Sequence, residues 1–135
     1  MSDRASPKPI AIVVDDDAFT RMDALSILED AGFHTLEAVN GDQAMAVLER
    51  AAGAVKLLFT DMQMPGSSNG FALAREVAQR WPRIGIMVAS GAMKPGPDEL
   101  PNGATFVAKP FSPQLVHEHL CKVLTPERRP VALQG

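Results

Sequence analysis

The sequence is short of cysteine, of long apolar runs and of basic clusters, and each shortage closes off a class of function. A single cysteine, Cys121, excludes an internal disulfide and agrees with a reducing compartment. No unbroken apolar run exceeds five residues, the length of Ile10–Val14, against the roughly eighteen that a membrane span needs, so no membrane crossing is expected. The opening MSDRASPKP lacks the apolar stretch of a secretory signal, which makes the cytoplasm the expected compartment. Basic residues number 13 against 16 acidic ones, for a net charge of -3, and no Lys/Arg cluster goes beyond Arg128-Arg129. Such a chain has no electrostatic footprint for a phosphate backbone, so nucleic acid is not an expected partner.

What is present is the make-up of one globular domain: 135 residues, 46% hydrophobic and 21% charged. IAIVV, from Ile10 to Val14, lies between Pro9 and three aspartates and reads as a strand buried on both faces. Ala18 to Ala31 turns helical, with Ala24, Ile27, Leu28 and Ala31 on one stripe and Gly32 as the stop. His34 to Val39 reads as a second strand, and Ala44, Val47, Leu48 and Ala51 mark a second helix. Val55 to Thr60, Ile84 to Ala89 and Ala104 to Ala108 are three further strands. A helix through Phe71, Ala74, Val77 and Ala78 follows the third, and one capped by Ser112 and opened by Pro113 follows the fifth. This alternation predicts a doubly wound α/β fold with a five-stranded parallel sheet. Between Ser90 and Lys109 stand three prolines and three glycines, so the fourth helix of such a fold is expected to be short or absent. The domain is expected over 9–124, with tails at 1–8 and 125–135.

In an open parallel sheet the ligand site lies beyond the carboxyl ends of the strands. The first strand ends in Asp15-Asp16-Asp17, the third in Asp61, the fourth in Ser90 and the fifth in Lys109-Pro110. Carboxylates gathered at one edge repel unless a cation sits among them, and an all-oxygen donor set suits magnesium. Zinc suits this chain poorly. His117, His119 and Cys121 do not form a set, because on a helix His119 points about 200° away from His117. Met62, Met64 and Met87 read as core filler.

VVDDD, LLFTDMQMPG, VASG and FVAKPF, in that order, resemble a response-regulator receiver domain of the CheY-like kind. The resemblance implies a flavodoxin-like sheet with strand order 2-1-3-4-5. It makes Asp61 the acceptor of a phosphoryl group from a sensor histidine kinase or phosphotransfer protein. Asp15, Asp16, Asp61 and the main-chain carbonyl of Gln63 become ligands of Mg2+, and Lys109 and Ser90 partners of the phosphoryl group. Ser90 and Phe106, three residues before Lys109, become the switch that alters the surface for a downstream protein. Phe106 has no hydroxyl, so its inward and outward states differ by apolar burial alone. The resemblance further implies a switch that phosphorylates and slowly dephosphorylates itself, with no turnover of an external substrate.

Eleven residues follow Leu124, too few for an output domain, so a regulator acting alone is expected. Phe19 and Met22 fall off the inward stripe of the first helix, beside the acidic cluster. The resemblance makes that patch a docking place for a kinase's histidine-bearing helices; incidental surface apolarity is the alternative. Two other functions compete. Asp15-Asp16-Asp17 also reads as the Asp-x-Asp of a haloacid-dehalogenase-type phosphatase, but Phe19 then stands where threonine or valine belongs, and no acidic pair follows Lys109. A pseudo-receiver, a binding module that never takes phosphate, would normally lack the acceptor or the lysine. Asp17 and Asp42 fit simple turn or cap roles.

Overall fold

The computed structural model describes residues 8–51, 53–62, 70–91, 100–101, 103–125 and 129–130. Among these residues five strands and four helices run in the order β1 (Ile10–Val14), α1 (Ala18–Ala31), β2 (His34–Ala38), α2 (Gly41–Ala51), β3 (Val55–Asp61), α3 (Gly70–Arg80), β4 (Gly85–Ser90), β5 (Thr105–Ala108) and α4 (Pro113–Val123). The strands form one parallel sheet in the order β2-β1-β3-β4-β5. This is the flavodoxin-like arrangement, and the fourth described helix, α4, is a short one of eleven residues. Between β4 and β5, where the helix expected to be short or absent would lie, residues 92–99 and 102 fall outside those described.

Strand alternation divides the interior into two layers. Ala11, Val13, Leu57, Phe59, Met87, Ala89 and Val107 point to α1 and α4. Ile12, Val14, Leu58, Ile86 and Val88 point to α2 and α3. With both faces covered, the strands need no polar side, which is why they read as nearly unbroken apolar runs. Each fully buried leucine or isoleucine of these layers contributes roughly 1.5–3 kcal/mol relative to exposure.

Helix ends follow from local chemistry. The Asp17 side chain accepts the Thr20 N–H at the start of α1, and Gly32, at φ 112°, closes it in the left-handed region that a side chain disfavours. Asn40 caps α2 by accepting the Gln43 N–H at 2.8 Å, which leaves Asp42 in the first turn. Ser112 accepts the Leu115 N–H at 3.1 Å ahead of Pro113. Within the segment expected as a C-terminal tail, Arg129 and Pro130 lie against the body. Arg129 donates to the carbonyls of Leu124 and Cys121 at 2.9 Å each, and the buried Pro130 sits over Gly32.

Candidate active site at the carboxyl edge of the sheet

Register assembles the site. Val14 pairs with Thr60, so Asp15 follows next to Asp61. Asp61 pairs with Ala89, so Ser90 stands one step further, and Ser90 pairs with Ala108, so Lys109 comes after. Two more backbone bonds extend these ladders: Met62 N–H to the Ala89 carbonyl at 2.8 Å and Lys109 N–H to the Ser90 carbonyl at 2.9 Å. Asp15, Asp61 and Lys109 continue the alternation that faces α1 and α4. Ser90 and Phe106 continue that of Val88, to which Phe106 is paired, on the other face.

The Lys109 ammonium lies 3.0 Å from Asp61 Oδ1 and 3.2 Å from Asp15 Oδ2. Both acids are nearly enclosed, with side chains 11% and 5% exposed against 21% for the lysine. Burial pulls the Lys109 pKa down, but the hydrogen bond and charge of Asp61, and then those of Asp15, outweigh it and leave the pKa raised. The ammonium is therefore charged across the ordinary pH range. Asp15 is held at every polar atom. Its N–H reaches the Ala38 carbonyl at 3.1 Å, its Oδ1 accepts the Asp17 N–H at 2.9 Å, and its carbonyl accepts from Arg21 at 2.8 Å.

Asp16 is exposed at the rim, and carboxylate oxygens of Asp15, Asp16 and Asp61 lie within 4.8 Å of one another. Three hard oxygen donors at that spacing, open to water on one side, fit a magnesium ion that keeps part of its hydration shell. Gln63, the further expected ligand, lies outside the described residues. Ser90 is buried at the same edge, and Phe106 is half-buried on β5.

Asp17 is not one of the clustered acids. It is exposed and accepts both the Thr20 hydroxyl, at 2.6 Å, and the Thr20 N–H, at 2.9 Å, which hold its carboxyl below the usual range. Beside the site a groove of about 520 Å³ is lined by Phe19, Thr20, Asp23, Lys109, Pro110 and Phe111. Phe19 is 84% exposed and Met22 63%, so both do lie off the core face of α1. Phe111 of this lining meets Phe59 edge-to-face at 5.3 Å between ring centres.

His117, His119 and Cys121 gather no metal set: among the described residues the three aspartates are the only such cluster, and His119 Nδ1 bonds the Thr105 hydroxyl at 2.6 Å. Met62 and Met87 are buried, as filler should be, and Met64 lies outside the described residues. The residue missed in the sequence is Arg21. It grips the Asp15 carbonyl and pairs with Glu37 of β2 at 2.8 Å. Its one signal was a cation in the first turn of a helix, where the helix dipole disfavours positive charge.

Comparison with known proteins agrees with this geometry. The family model described as response regulator receiver domain matches residues 11–121. The chemotaxis protein CheY of Thermotoga maritima is 33% identical over 116 residues, covering 83% of this chain and 94% of that protein. The hydrogenase transcriptional regulatory protein HoxA of Cupriavidus necator is 36% identical over 86 residues, covering 64% of this chain and 17% of that protein. The solved structure of Vibrio cholerae CheY4 matches in fold with a TM-score of 0.75 at 23% identity, over 87% of this chain and 100% of that one. The chain spans only 9% to 44% of the length of the larger curated relatives it matches. Among the described residues no helix is long and apolar enough to cross a membrane. On the strand order, the acid–lysine edge and the match across most of its length, the chain belongs to the response regulator receiver domain family.

Proposed function

We propose that this receiver domain is a phosphorylation switch of a two-component system. Asp61 takes a phosphoryl group from the phosphohistidine of a sensor kinase or phosphotransfer protein in the cytoplasm. An Asp61 carboxylate oxygen attacks phosphorus, the new O–P bond forms, and the P–N bond breaks with its electron pair left on the donor imidazole. The observation that carries the reading is the Lys109 ammonium 3.0 Å from a nearly enclosed Asp61, inside a ring of carboxylates. Phosphoryl transfer asks little covalent work of a protein and much positioning and charge neutralisation. Lys109 offers a fixed positive charge beside the accepting oxygen. Asp15, Asp16 and Asp61, with the Gln63 carbonyl, would hold Mg2+, which when bound neutralises charge on the phosphoryl oxygens.

Ser90 and Phe106 share one face of the sheet, so a hydroxyl drawn toward the phosphoryl group frees space on the side where the ring lies. Turning Phe106 inward then alters the β5 surface for a downstream protein. The chain modifies itself and turns over no external substrate. Asp17 favours this reading over the phosphatase, whose second acid it would be: its carboxylate is spent on capping α1.

The test is incubation with a small acyl phosphate donor and magnesium, followed by mass spectrometry of the intact chain. A base-labile phosphoryl adduct that disappears in Asp61→Asn is expected. A folded protein that takes up no phosphoryl group from any donor would favour the pseudo-receiver, and Asp15-dependent hydrolysis of a phosphomonoester would favour the phosphatase.

A further inference from the structure

We infer that Arg21 is a positioning residue for the acidic cluster, fixing the peptide between Asp15 and Asp16 so that both carboxylates meet a cation. The inference rests on the magnesium reading above. Arg21 occupies the fourth position of α1, where its own N–H makes the first helical bond, to the Asp17 carbonyl at 2.9 Å. A cation there faces the positive end of the helix dipole. Its side chain is nonetheless drawn in, 15% exposed against 57% for its partner Glu37. An exposed ion pair alone contributes little to stability. The guanidinium does something further: while Nε holds Glu37, Nη1 donates to the Asp15 carbonyl, each at 2.8 Å.

That carbonyl lies just past the last residue of β1, where ladder pairing ends. Its direction sets the plane of the 15–16 peptide and therefore the direction in which the Asp16 side chain departs. Asp16 needs such a device. Among the described residues no hydrogen bond or ion pair holds its carboxylate, whereas both Asp15 oxygens are engaged. Arg21 thus ties the turn to β2 through Glu37, with separate nitrogens of one rigid guanidinium on the two acceptors. Outer-shell partners of metal ligands act in this way, and their loss typically weakens metal affinity by about 10–100-fold.

The experiment is calorimetric Mg2+ titration of the unphosphorylated full chain, beside thermal melts and amide hydrogen exchange without metal. The variants are Arg21→Gln, Arg21→Lys, Glu37→Gln and Asp16→Asn. Arg21→Gln should weaken Mg2+ binding by about tenfold or more and speed exchange of the Asp17 amide, which rests on Asp15 Oδ1. Arg21→Lys should recover part of the affinity, since it keeps the charge and a donor but not the rigid fork. Glu37→Gln should cost a few-fold in wild type and nothing further in the Arg21→Gln background. If Arg21→Gln does not fold, Glu37→Gln and Arg21→Lys decide the matter by the same affinities. A lower melting temperature with Mg2+ affinity within about twofold of wild type would make Arg21 a fold stabiliser only, and the inference would be wrong. Absence of Mg2+ binding in wild type, or full binding by Asp16→Asn, would instead overturn the magnesium reading and the inference with it.

Discussion

Gly70 and Asp61 touch through their backbones: a side-chain carbon on Gly70 would overlap the Asp61 carbonyl oxygen and lie 2.8 Å from Met62 Cα. The Gly70 N–H bonds the Met62 carbonyl at 3.0 Å, so α3 starts directly against the end of β3. The proposed acceptor owes its place partly to a missing side chain. Because both neighbours are backbone, neither can rotate aside. Gly70→Ala should lower stability by about 1–3 kcal/mol, read as a reduced urea midpoint, and should slow phosphoryl uptake at Asp61. Unchanged values for both would show that the chain gives way there without strain.

How much of this was legible beforehand varies by element. Ile10–Val14 and Ala18–Ala31 have the expected ends because Pro9, Asp17 and Gly32 punctuate them. β4 and β5 each start one residue later than their apolar pattern. The reason is a turn: Ile84 N–H bonds the Trp81 carbonyl at 3.0 Å and Ala104 N–H the Pro101 carbonyl at 3.1 Å, which removes both donors from the sheet. A residue can continue the hydrophobic pattern while its amide serves a turn. In the site, Asp61 and Lys109 stood out as charges at the ends of apolar runs. Arg21 did not, since its partner Glu37 is sixteen residues away and is reached only once β2 pairs with β1.

The Asp17 cap gives a prediction about pH. The Thr20 hydroxyl, and then the Thr20 N–H, hold its carboxyl below the ordinary 3.8. A depressed folded pKa means stability that is present above the unfolded value and lost as pH falls through the folded one. Asp17→Ala should therefore melt below wild type by a constant margin above about pH 5, a margin that shrinks below 3.8. Mg2+ affinity should stay close to wild type, because the Asp17 main-chain N–H still bonds Asp15. A large loss of Mg2+ binding would return Asp17 to the site.

His119 titrates in the same sense at higher pH. Burial, and next the Lys122 charge, push its pKa below 6.5 against the opposing pull of Glu118. The unfolded chain then takes a proton first, so stability is full above 6.5 and falls as pH drops through the folded value. His119→Gln, which keeps a partner for the Thr105 hydroxyl, should lose less stability than wild type between about pH 7 and pH 5. An imidazole proton resonance titrating above 6.5 would contradict this account.

Lys109 supplies the prediction with the opposite sign. Its pKa is raised above 10.5 because Asp61 and Asp15 outweigh the burial that would lower it. A raised folded pKa gives stability that is fully present below the unfolded value and lost as pH climbs through the folded one, so the contribution should be flat until pH exceeds 10.5. Lys109→Met removes the only cation that the described side chains place between Asp15 and Asp61. A fully buried pair broken this way costs about 3–5 kcal/mol; with the lysine 21% exposed, water screens part of it, and about 1–3 kcal/mol is expected at neutral pH without metal. Magnesium should reduce that deficit by bringing positive charge back to the facing carboxylates. Urea melts of both proteins at neutral pH, with chelator and with magnesium, measure the effect. A deficit that magnesium leaves untouched would mean that Lys109 holds the edge by packing its stem, and that charge between Asp15 and Asp61 is not what organises the site.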